Sequence, residues 1–271
     1  MSEPQTSVEQ SVFKSDLLKG KKGLVVGVAN KRSIAWGVAQ ALANHGAQLA
    51  FTYQGDRLKE SVAELAATLP TKSPLYPCDV TKDSEVKSVF DALAKDFGAL
   101  QFLVHAVAFA KKEDLEGRTI DTARDGFQLA LDVSSYSLIA LTKAAEPLLE
   151  KEGGSVVALT YLGSEKVVPR YNIMGVAKAA LESAIRYLAF DLGKKNIRVN
   201  GVSAGPISTL AARGIAGFTT MLEGHRNRAP LGRNVEVEEV ANTAFFLLSP
   251  LASGITGEVI YCDAGYRIMG F

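Results

Sequence analysis

Residues 23–37 read GLVVGVANKRSIAWG, and they set a pattern that the rest of the chain repeats. The β-branched run at 23–28 predicts a buried strand, and residues 33–44 predict a helix directly after it. Gly27 at the strand end lets backbone approach a phosphate, and the following helix N-terminus offers N–H groups and partial positive charge. The full G-x-G-x-x-G fingerprint is absent, so an ordinary strand–helix turn is an open alternative.

Two further residues of this segment have specific predicted roles. Ser33 precedes the helix and is expected either to cap it or to donate to a phosphate. Gly37 lies early in the helix and is expected to allow close packing of the helix on the sheet.

Strand-like and helix-like stretches alternate along the whole chain. Strands are predicted at 23–28, 47–53, 75–80, 102–107, 155–159, 197–202 and 258–261. Helices are predicted at 33–44, 57–67, 84–97, 172–192 and 237–248, with helical material reaching residue 150 after the fourth strand. Such alternation implies parallel strands joined by right-handed crossovers. We therefore expect a single doubly wound α/β domain, Rossmann-like, with a seven-stranded parallel sheet and helices on both faces.

Composition excludes several classes of protein. Of 271 residues, 47% are hydrophobic, which permits a large core and argues against disorder. Lys and Arg (30) balance Asp and Glu (29), so no net field attracts nucleic acid or an acidic membrane. No apolar run is long enough to span a bilayer or to serve as a signal peptide, so we expect a cytoplasmic protein. Residues 1–17 are expected to form a flexible extension, and residues 18–271 the domain.

Cysteines and histidines give no sign of a metal site. Cys78 and Cys262 stand far apart, and free thiols are expected rather than a disulfide. None of the three histidines lies at metal-ligand spacing from a Cys, Asp or Glu. We expect His45 at a helix end, His105 as packing near the site, and His225 in a loop.

The ends of the second and third strands carry polar residues suited to an adenosine. Gln54 is neutral and can bind ribose hydroxyls, and no base stands directly beside it, which favours NADH over NADPH. Asp79 can accept a hydrogen bond from the adenine amino group. The alternative for Asp79 is a cap for the next helix, a role that Thr81 and Asp83 also fit.

Tyr171 and Lys178 are separated by seven positions on a predicted helix, which brings them to nearly the same face, two turns apart. An ammonium near a phenol stabilises the phenolate and favours proton donation. Because the pair follows the fifth strand of a Rossmann-like chain, we assign it to catalysis rather than to a solvated surface.

These features resemble the short-chain dehydrogenase/reductase family, over about residues 18–271. Ordinary members carry a Ser thirteen residues before the Tyr and an Asn-Asn-Ala-Gly segment after the fourth strand. This chain has Ala158 at the first place and Val-His-Ala-Val-Ala at 104–108. It has instead a second tyrosine, Tyr161, ten residues before Tyr171. That pattern is similar to the bacterial enoyl-acyl-carrier-protein reductases of type II fatty-acid synthesis. So are Ser-Ile-Ala-x-Gly at 33–37, Asp-Val-Ser-Ser-Tyr at 132–136, and Ser-Ala-Gly-Pro-Ile-Ser-Thr-Leu-Ala-Ala at 203–212.

The resemblance implies a set of site residues. The cofactor, NADH, is expected to contact Gly27, Ser33, Ile34, Gln54, Asp79, Val80, Val107, Lys178, Ile207, Ser208, Thr209, Leu210 and Ala211. Ala110, Tyr161 and Tyr171 are expected to contact the substrate, and Tyr161, Tyr171 and Lys178 to be catalytic. Two departures from the family pattern are Ala108, where Gly is expected, and Ser208, where a basic residue is frequent.

The resemblance also implies the reaction, which is reduction of the trans-2 double bond of an enoyl thioester on acyl-carrier protein. Tyr171 is expected to stabilise the enolate oxygen, and Lys178 to anchor the ribose. Tyr161 is expected either to position substrate or to take part in proton delivery. The alternatives are a ketone or 3-oxoacyl reductase, disfavoured by Ala158, and a catalytically idle dinucleotide sensor. A homotetramer is a further implication of the resemblance.

Residues 205–233 are expected to form a lid over the substrate. Their glycines suit mobility, and apolar residues such as Phe218 and Met221 could cover an acyl chain. A helical insertion packed on the core is the alternative. The segment contains four arginines, at 213, 226, 228 and 233, and one acid, Glu223. Because this gives it a net positive charge, we expect the lid to attract an acidic carrier protein.

Overall fold

The computed structural model describes residues 14–209 and 217–270. Within this part of the chain, one parallel sheet has the strand order β3-β2-β1-β4-β5-β6-β7. Its strands are β1 (Lys22–Val26), β2 (Gln48–Tyr53), β3 (Leu75–Pro77), β4 (Phe102–His105), β5 (Gly154–Thr160), β6 (Ile197–Ala204) and β7 (Val259–Cys262). The predicted doubly wound, seven-stranded parallel sheet is therefore confirmed.

Helices connect the strands and cover both faces of the sheet. They are α1 (Ile34–Asn44), α2 (Asp56–Ala66), α3 (Asp83–Asp96), α4 (Lys112–Leu115), α5 (Arg124–Leu131), α6 (Ser137–Leu149), α7 (Asn172–Leu192), α8 (Phe218–Arg228) and α9 (Val237–Leu248). A π-helical turn, Asp132–Tyr136, joins α5 to α6. The strand order reverses between β1 and β4, which is where a doubly wound sheet opens a crevice for a ligand.

The alternation of side chains along the strands divides the core in two. On β1, Val25 belongs to the core that α1 and α9 cover. Leu24 and Val26 point the other way, into the core covered by α3, α6 and α7. Strands buried on both faces therefore read as continuous apolar runs, as the sequence does at each predicted strand.

Six of the seven strands end one to three residues away from their predicted positions, and the reason is visible for three of them. β1 ends at Val26 rather than at residue 28, because Gly27 turns the chain with a φ of 107°. β3 ends at Pro77 rather than at residue 80, and the chain then folds around the carboxylate of Asp79. β6 extends to Ala204, two residues further than predicted, because it pairs with β7 as far as Cys262.

Gly37 has a different partner from the predicted one. A Cβ at this position would lie 2.3 Å from Cγ1 of Val237, the first residue of α9. The glycine therefore permits the close approach of α1 to α9, and the predicted packing on the sheet was wrong.

The predicted N-terminal extension is described only from residue 14 onward. There the Ser15 amide donates to the carbonyl of Asn44 (3.4 Å), and the Ser15 hydroxyl bonds Nδ1 of His45 (2.7 Å). His45 follows the last residue of α1, as predicted. Cys78 is a buried free thiol and Cys262 a partly buried one. Across residues 14–209 and 217–270, no helix has the length and apolar character needed to cross a bilayer.

Gly27 offers a direct test of this packing. Its φ is positive, and a Cβ there would lie 2.3 Å from the carbonyl oxygen of Ala106, the residue directly after β4. We predict that Gly27→Ala lowers the free energy of unfolding by about 3 kcal/mol, from backbone strain and steric overlap together. Urea denaturation measures this loss.

Gly193→Ala is the matched control, because a Cβ added at Gly193 would meet no atom within 4 Å, and its φ is −57°. Its free energy of unfolding should stay near that of the original chain. Equal stability of the two variants would contradict the close approach of the first turn to β4.

Candidate active site

Most of the predicted site residues lie at or just after the carboxyl ends of the strands. Gly27 follows β1, Gln54 follows β2, Asp79 lies two residues beyond β3, Val107 two residues beyond β4, and Tyr161 directly after β5. Because the strands are parallel, these residues meet at one edge of the sheet, beside the β1–β4 crevice. That edge is where ligands bind in doubly wound sheets.

The turn after β1 ends in a well-formed helix cap. The Ser33 hydroxyl accepts a hydrogen bond from the Trp36 amide (3.3 Å) and donates to the Asn30 carbonyl (2.8 Å). Of the two roles predicted for Ser33, the structure therefore shows the N-cap. The first helical turn, which begins at Ile34, leaves N–H groups without intrahelical partners, and such groups suit a phosphate.

Gln54 and Asp79 come together although 25 positions separate them. Burial raises the pKa of Asp79, but hydrogen bonds from Thr81 and Gln54 and the charge of Lys82 hold it below its ordinary value. Asp79 is thus a carboxylate that can accept a donor from a ligand. It does not cap the next helix, which begins at Asp83 after Lys82.

The segment after β4 is fixed by a serine for which the sequence predicts no specific role. Ser134, fully buried in the π-helical turn, accepts a hydrogen bond from the Phe109 amide (2.9 Å) and donates to the Phe109 carbonyl (3.1 Å). This anchor holds the backbone next to Ala110, the predicted substrate contact. Val80 and Val107 are partly buried against the core that α3, α6 and α7 cover.

Tyr161 and Tyr171 form an edge-to-face pair. Their ring centroids lie 5.0 Å apart at an interplanar angle of 69°. Gly163 makes room for this arrangement, because a Cβ there would lie 2.5 Å from Cδ1 of Tyr171. The sequence contains Gly163 within the family-like segment, but its spacing gives no sign that a tyrosine ring lies on it.

Backbone strain brackets Tyr171. Arg170 and Asn172, on either side, have positive φ values of 64° and 32°. The amide Nδ2 of Asn172 donates to the carbonyls of Glu116 (3.3 Å) and Gly117 (3.2 Å), which helps to hold this conformation. Strained backbone of this kind clusters at functional sites, where the surrounding structure determines the geometry.

Lys178 is a buried cation on α7, with 6% of its surface exposed. Its Nζ donates to the carbonyl of Leu159 (2.7 Å), two residues before Tyr161. Burial lowers the pKa of Lys178 to about 8, and the nearby carboxylate of Glu182 opposes that effect. A lysine with an unusually low pKa therefore lies at the end of β5.

Lys178 is expected to stabilise a tyrosine phenolate, but the pKa values of both tyrosines are raised rather than lowered. Burial, together with Tyr161 and Glu182, raises the pKa of Tyr171 above its usual range. Burial is the main cause that raises the pKa of Tyr161 to about 12, and the nearby Tyr266 adds to it. Both hydroxyls are therefore protonated, and a protonated phenol is the form that can donate to an oxyanion.

His105 is a packing residue, as predicted. It is fully buried at the end of β4, and burial with the charge of Lys178 lowers its pKa to about 3. Its Nε2 lies 2.8 Å from the hydroxyl of Ser137, which itself donates to the Val133 carbonyl (2.7 Å), so we assign the proton to Nε2. Among the residues that the structure describes, no three His, Cys, Asp or Glu side chains gather as a metal site.

Part of the predicted lid is a helix, α8, that touches the tyrosine pair. The Tyr161 hydroxyl donates to the sulfur of Met221 at 3.6 Å. Phe218 and His225 form the buried side of α8, and the His225 ring stacks on Tyr266 with centroids 4.4 Å apart. The prediction of a loop around His225 was wrong. The stacked histidine holds the helix against the C-terminal segment.

The predicted cofactor segment at 207–211 is described only in part. Ile207, Ser208 and Thr209 follow β6 and are partly buried, and the Thr209 amide donates to the Ile207 carbonyl (2.7 Å). Leu210 and Ala211 lie outside the described residues, as do residues 212–216. Cofactor contacts by 207–211 therefore stay predictions.

Comparison with known proteins agrees with this geometry. A family model described as "Enoyl-(Acyl carrier protein) reductase" matches residues 27–267. The chain is 53% identical to the enoyl-(acyl-carrier-protein) reductase (NADH) FabI of Bacillus subtilis (strain 168), over 93% of this chain and 97% of that one. It is 48% identical to the reductase of the same name from Aquifex aeolicus, over 94% of each chain.

Solved structures give the same result. The Bacillus cereus enoyl-acyl carrier protein reductase, solved with NADP+ and indole naphthyridinone, matches with a TM-score of 0.92 and 50% identity, over 94% of this chain and 99% of that one. The corresponding reductase of Anaplasma phagocytophilum, solved with NAD, matches with a TM-score of 0.90 and 44% identity, over 95% and 96%. This chain belongs to the enoyl-(acyl-carrier-protein) reductase family.

Proposed function

We propose that this chain uses NADH to reduce the trans-2 double bond of an enoyl chain carried by acyl-carrier protein. This is the last reductive step of each elongation cycle in type II fatty-acid synthesis. The observation that carries the proposal is the pair of protonated tyrosines, Tyr161 and Tyr171, together with the buried Lys178 that binds the strand end just before Tyr161. The family membership supports the same activity.

The residues at the carboxyl edge fit a dinucleotide. The pyrophosphate would lie against the turn at Gly27 and the N-terminus of α1, where Ser33 caps the helix. The adenosine would meet Gln54 and Asp79, a neutral amide beside a carboxylate. No base stands directly beside Gln54, which supports NADH over NADPH.

In this reaction the protein mainly positions the substrate and the cofactor and stabilises the negative charge that develops. NADH, when bound, supplies the hydride that the β-carbon of the enoyl chain accepts. Negative charge then develops on the thioester oxygen, and the Tyr171 hydroxyl donates a hydrogen bond to it there. Lys178 would hold the nicotinamide ribose through hydrogen bonds from its ammonium group.

Tyr161 lies between Tyr171 and the lid helix α8. From that position it would contact the acyl chain and orient the thioester, and α8 would cover the chain through Met221. A role in proton delivery is the alternative for Tyr161.

The runner-up activity, reduction of a ketone or 3-oxoacyl group, lacks one catalytic group. Ala158 occupies the position of the expected serine, and its side chain is fully buried in the core beneath the site. A catalytically idle sensor would have no need for a desolvated lysine and two partly buried phenols, since burying such groups costs stability.

The deciding experiment compares NADH oxidation with a trans-2-enoyl thioester and with a 3-oxoacyl thioester of equal chain length, each also tested with NADPH. We expect turnover with the enoyl substrate and a higher kcat/KM for NADH. Faster reduction of the 3-oxoacyl thioester would favour the runner-up activity, and no turnover with either substrate would favour the sensor.

The acyl-carrier protein would approach the outer face of α8. Arg226 and Arg228 are exposed there, whereas Arg233 is held by both oxygens of Glu239 (2.7 Å each). Arg226 and Arg228 therefore provide positive charge for an acidic partner, and Arg213 lies outside the described residues. Complementary charge of this kind mainly speeds encounter.

The resemblance to the family implies a homotetramer in the cytoplasm, and two features of the structure support this. Large apolar side chains are exposed on α6 and α7, among them Ile139, Val176, Tyr187 and Phe190, the last with 84% of its surface exposed. Such faces suit contact between copies, which supports a homotetramer. Free thiols at Cys78 and Cys262 support a reducing compartment, the cytoplasm.

The division of roles between Tyr171 and Lys178 gives a first prediction. Tyr171→Phe keeps the ring but removes the oxyanion donor, so turnover should fall on the order of 10²–10³-fold while NADH affinity is retained. Lys178→Ala should also weaken NADH binding about tenfold or more, because a charge-assisted hydrogen bond is lost. Steady-state kinetics and NADH fluorescence titration measure the two effects. Equal loss of NADH affinity in both variants would contradict this division.

The lid arginines give a second prediction. Arg226→Glu should lower kcat/KM for an enoyl-carrier-protein about threefold or more at low salt, and less at about 300 mM salt, because screening removes the attraction. A short enoyl thioester without the carrier protein should be reduced at nearly the original rate.

Lys194→Glu is the matched control. It makes the same change of net charge on an exposed residue after α7, before the opposite end of β6. It should leave the kinetics with carrier protein unchanged. If both variants lose the same activity with both substrates at each salt concentration, the arginine does not serve docking.

A further inference from the structure

A buried carboxylate lies one helical turn beyond Lys178 and takes no part in the proposed reaction. Glu182 is on α7 and has 6% of its surface exposed, the same fraction as Lys178. Residues four positions apart on a helix share a face, so both side chains point toward the end of β5. A buried charge is costly unless its surroundings compensate it.

The contacts of these two side chains form a two-point clamp. The Thr160 hydroxyl donates to Oε1 of Glu182 at 2.6 Å, and Nζ of Lys178 donates to the Leu159 carbonyl at 2.7 Å. Leu159 and Thr160 are the last two residues of β5, and Tyr161 follows them directly. The position of Tyr161 is therefore set by two α7 side chains of opposite charge.

The charges around Lys178 give Glu182 a second effect. His105 faces Lys178 from β4, and burial keeps it neutral, with a pKa lowered to about 3. Two tyrosines face Glu182, namely Tyr171 just before α7 and Tyr261 on β7. The pKa of each is raised, mainly by burial, so both are neutral. Glu182 is thus the negative charge that opposes the desolvation of Lys178.

We propose that Glu182 is a positioning residue of this active site, which holds the end of β5 through Thr160 and places a negative charge one helical turn from Lys178. The proposal rests on the proposed function for its kinetic consequence, but its structural part stands on the clamp alone. Glu182 would act through Lys178 and Tyr161 and would touch neither substrate nor cofactor.

The test uses Glu182→Gln in the full chain, because glutamine keeps an oxygen acceptor for Thr160 and removes the charge. Activity should fall as Lys178 loses its proton, so the alkaline limb of kcat/KM should lie near pH 8 in the original protein. In the variant this limb should move to lower pH, so that kcat/KM falls about tenfold at about pH 9, with a smaller loss at about pH 6.5.

A second readout does not depend on catalysis. In ligand-free protein labelled with ¹³C at lysine Cε, the Lys178 resonance, assigned by its absence in Lys178→Arg, reports the titration directly. Its midpoint should also move to lower pH in Glu182→Gln. Glu64→Gln, at an exposed position on α2, is the matched control and should leave both the limb and the midpoint in place.

Thr160→Val separates the clamp from the charge. It removes the donor but keeps the carboxylate, so it should reduce kcat with less change of the alkaline limb than Glu182→Gln causes. An unchanged Lys178 midpoint in Glu182→Gln, with a uniform loss of activity at all pH values, would overturn the proposal. If the original protein fails to reduce enoyl thioesters, the proposed function falls, while the NMR titration still tests Glu182.

Discussion

The proposed active site depends on one desolvated cation, Lys178. Lys178 is buried beside the end of β5, where an ammonium without partners would be too costly to keep. Its hydrogen bond to the Leu159 carbonyl is available because β5 ends there and its last carbonyls are close to α7. The helix must therefore lie close against the strand end, and Tyr161 and Tyr171 take their positions from that contact.

The same edge explains why the other site groups meet. Parallel strands deliver their carboxyl ends together, so the turn at Gly27, the Gln54–Asp79 pair and the tyrosines come from distant parts of the sequence. Local strain completes the arrangement, with Arg170 and Asn172 in left-handed conformations beside Tyr171. The sheet provides the stable frame, and the strained turn orients the phenol.

Periodicity was enough to predict the fold. Apolar runs marked all seven strands, and α7 and α9 begin and end where the pattern predicts. Strand ends were less certain, because a glycine such as Gly27 ends a strand through a backbone angle that composition does not reveal. The helix around His225 was missed because Gly217 and Gly224 suggested a mobile loop, whereas packing on Tyr266 determines the structure there.

The side chains of the site could be predicted from the sequence, but the backbone groups that bind them could not. Tyr171 and Lys178 carry a recognisable spacing, whereas the carbonyl of Leu159 has no signature in a sequence. Glu182 gave no signal either, since a glutamate on a helix is ordinarily solvated. The raised pKa of Tyr171 follows from burial, which depends on Gly163 and the surrounding core rather than on residue type.

In the proposed reaction, hydride reaches the β-carbon of an enoyl thioester whose oxygen accepts a hydrogen bond from Tyr171. Mass spectrometry of the product formed with NADH deuterated at C4 tests this directly. We expect a saturated thioester with deuterium at carbon 3, and a proton from solvent at carbon 2. A product with a hydroxyl group and deuterium on the carbon that bears it would contradict this mechanism.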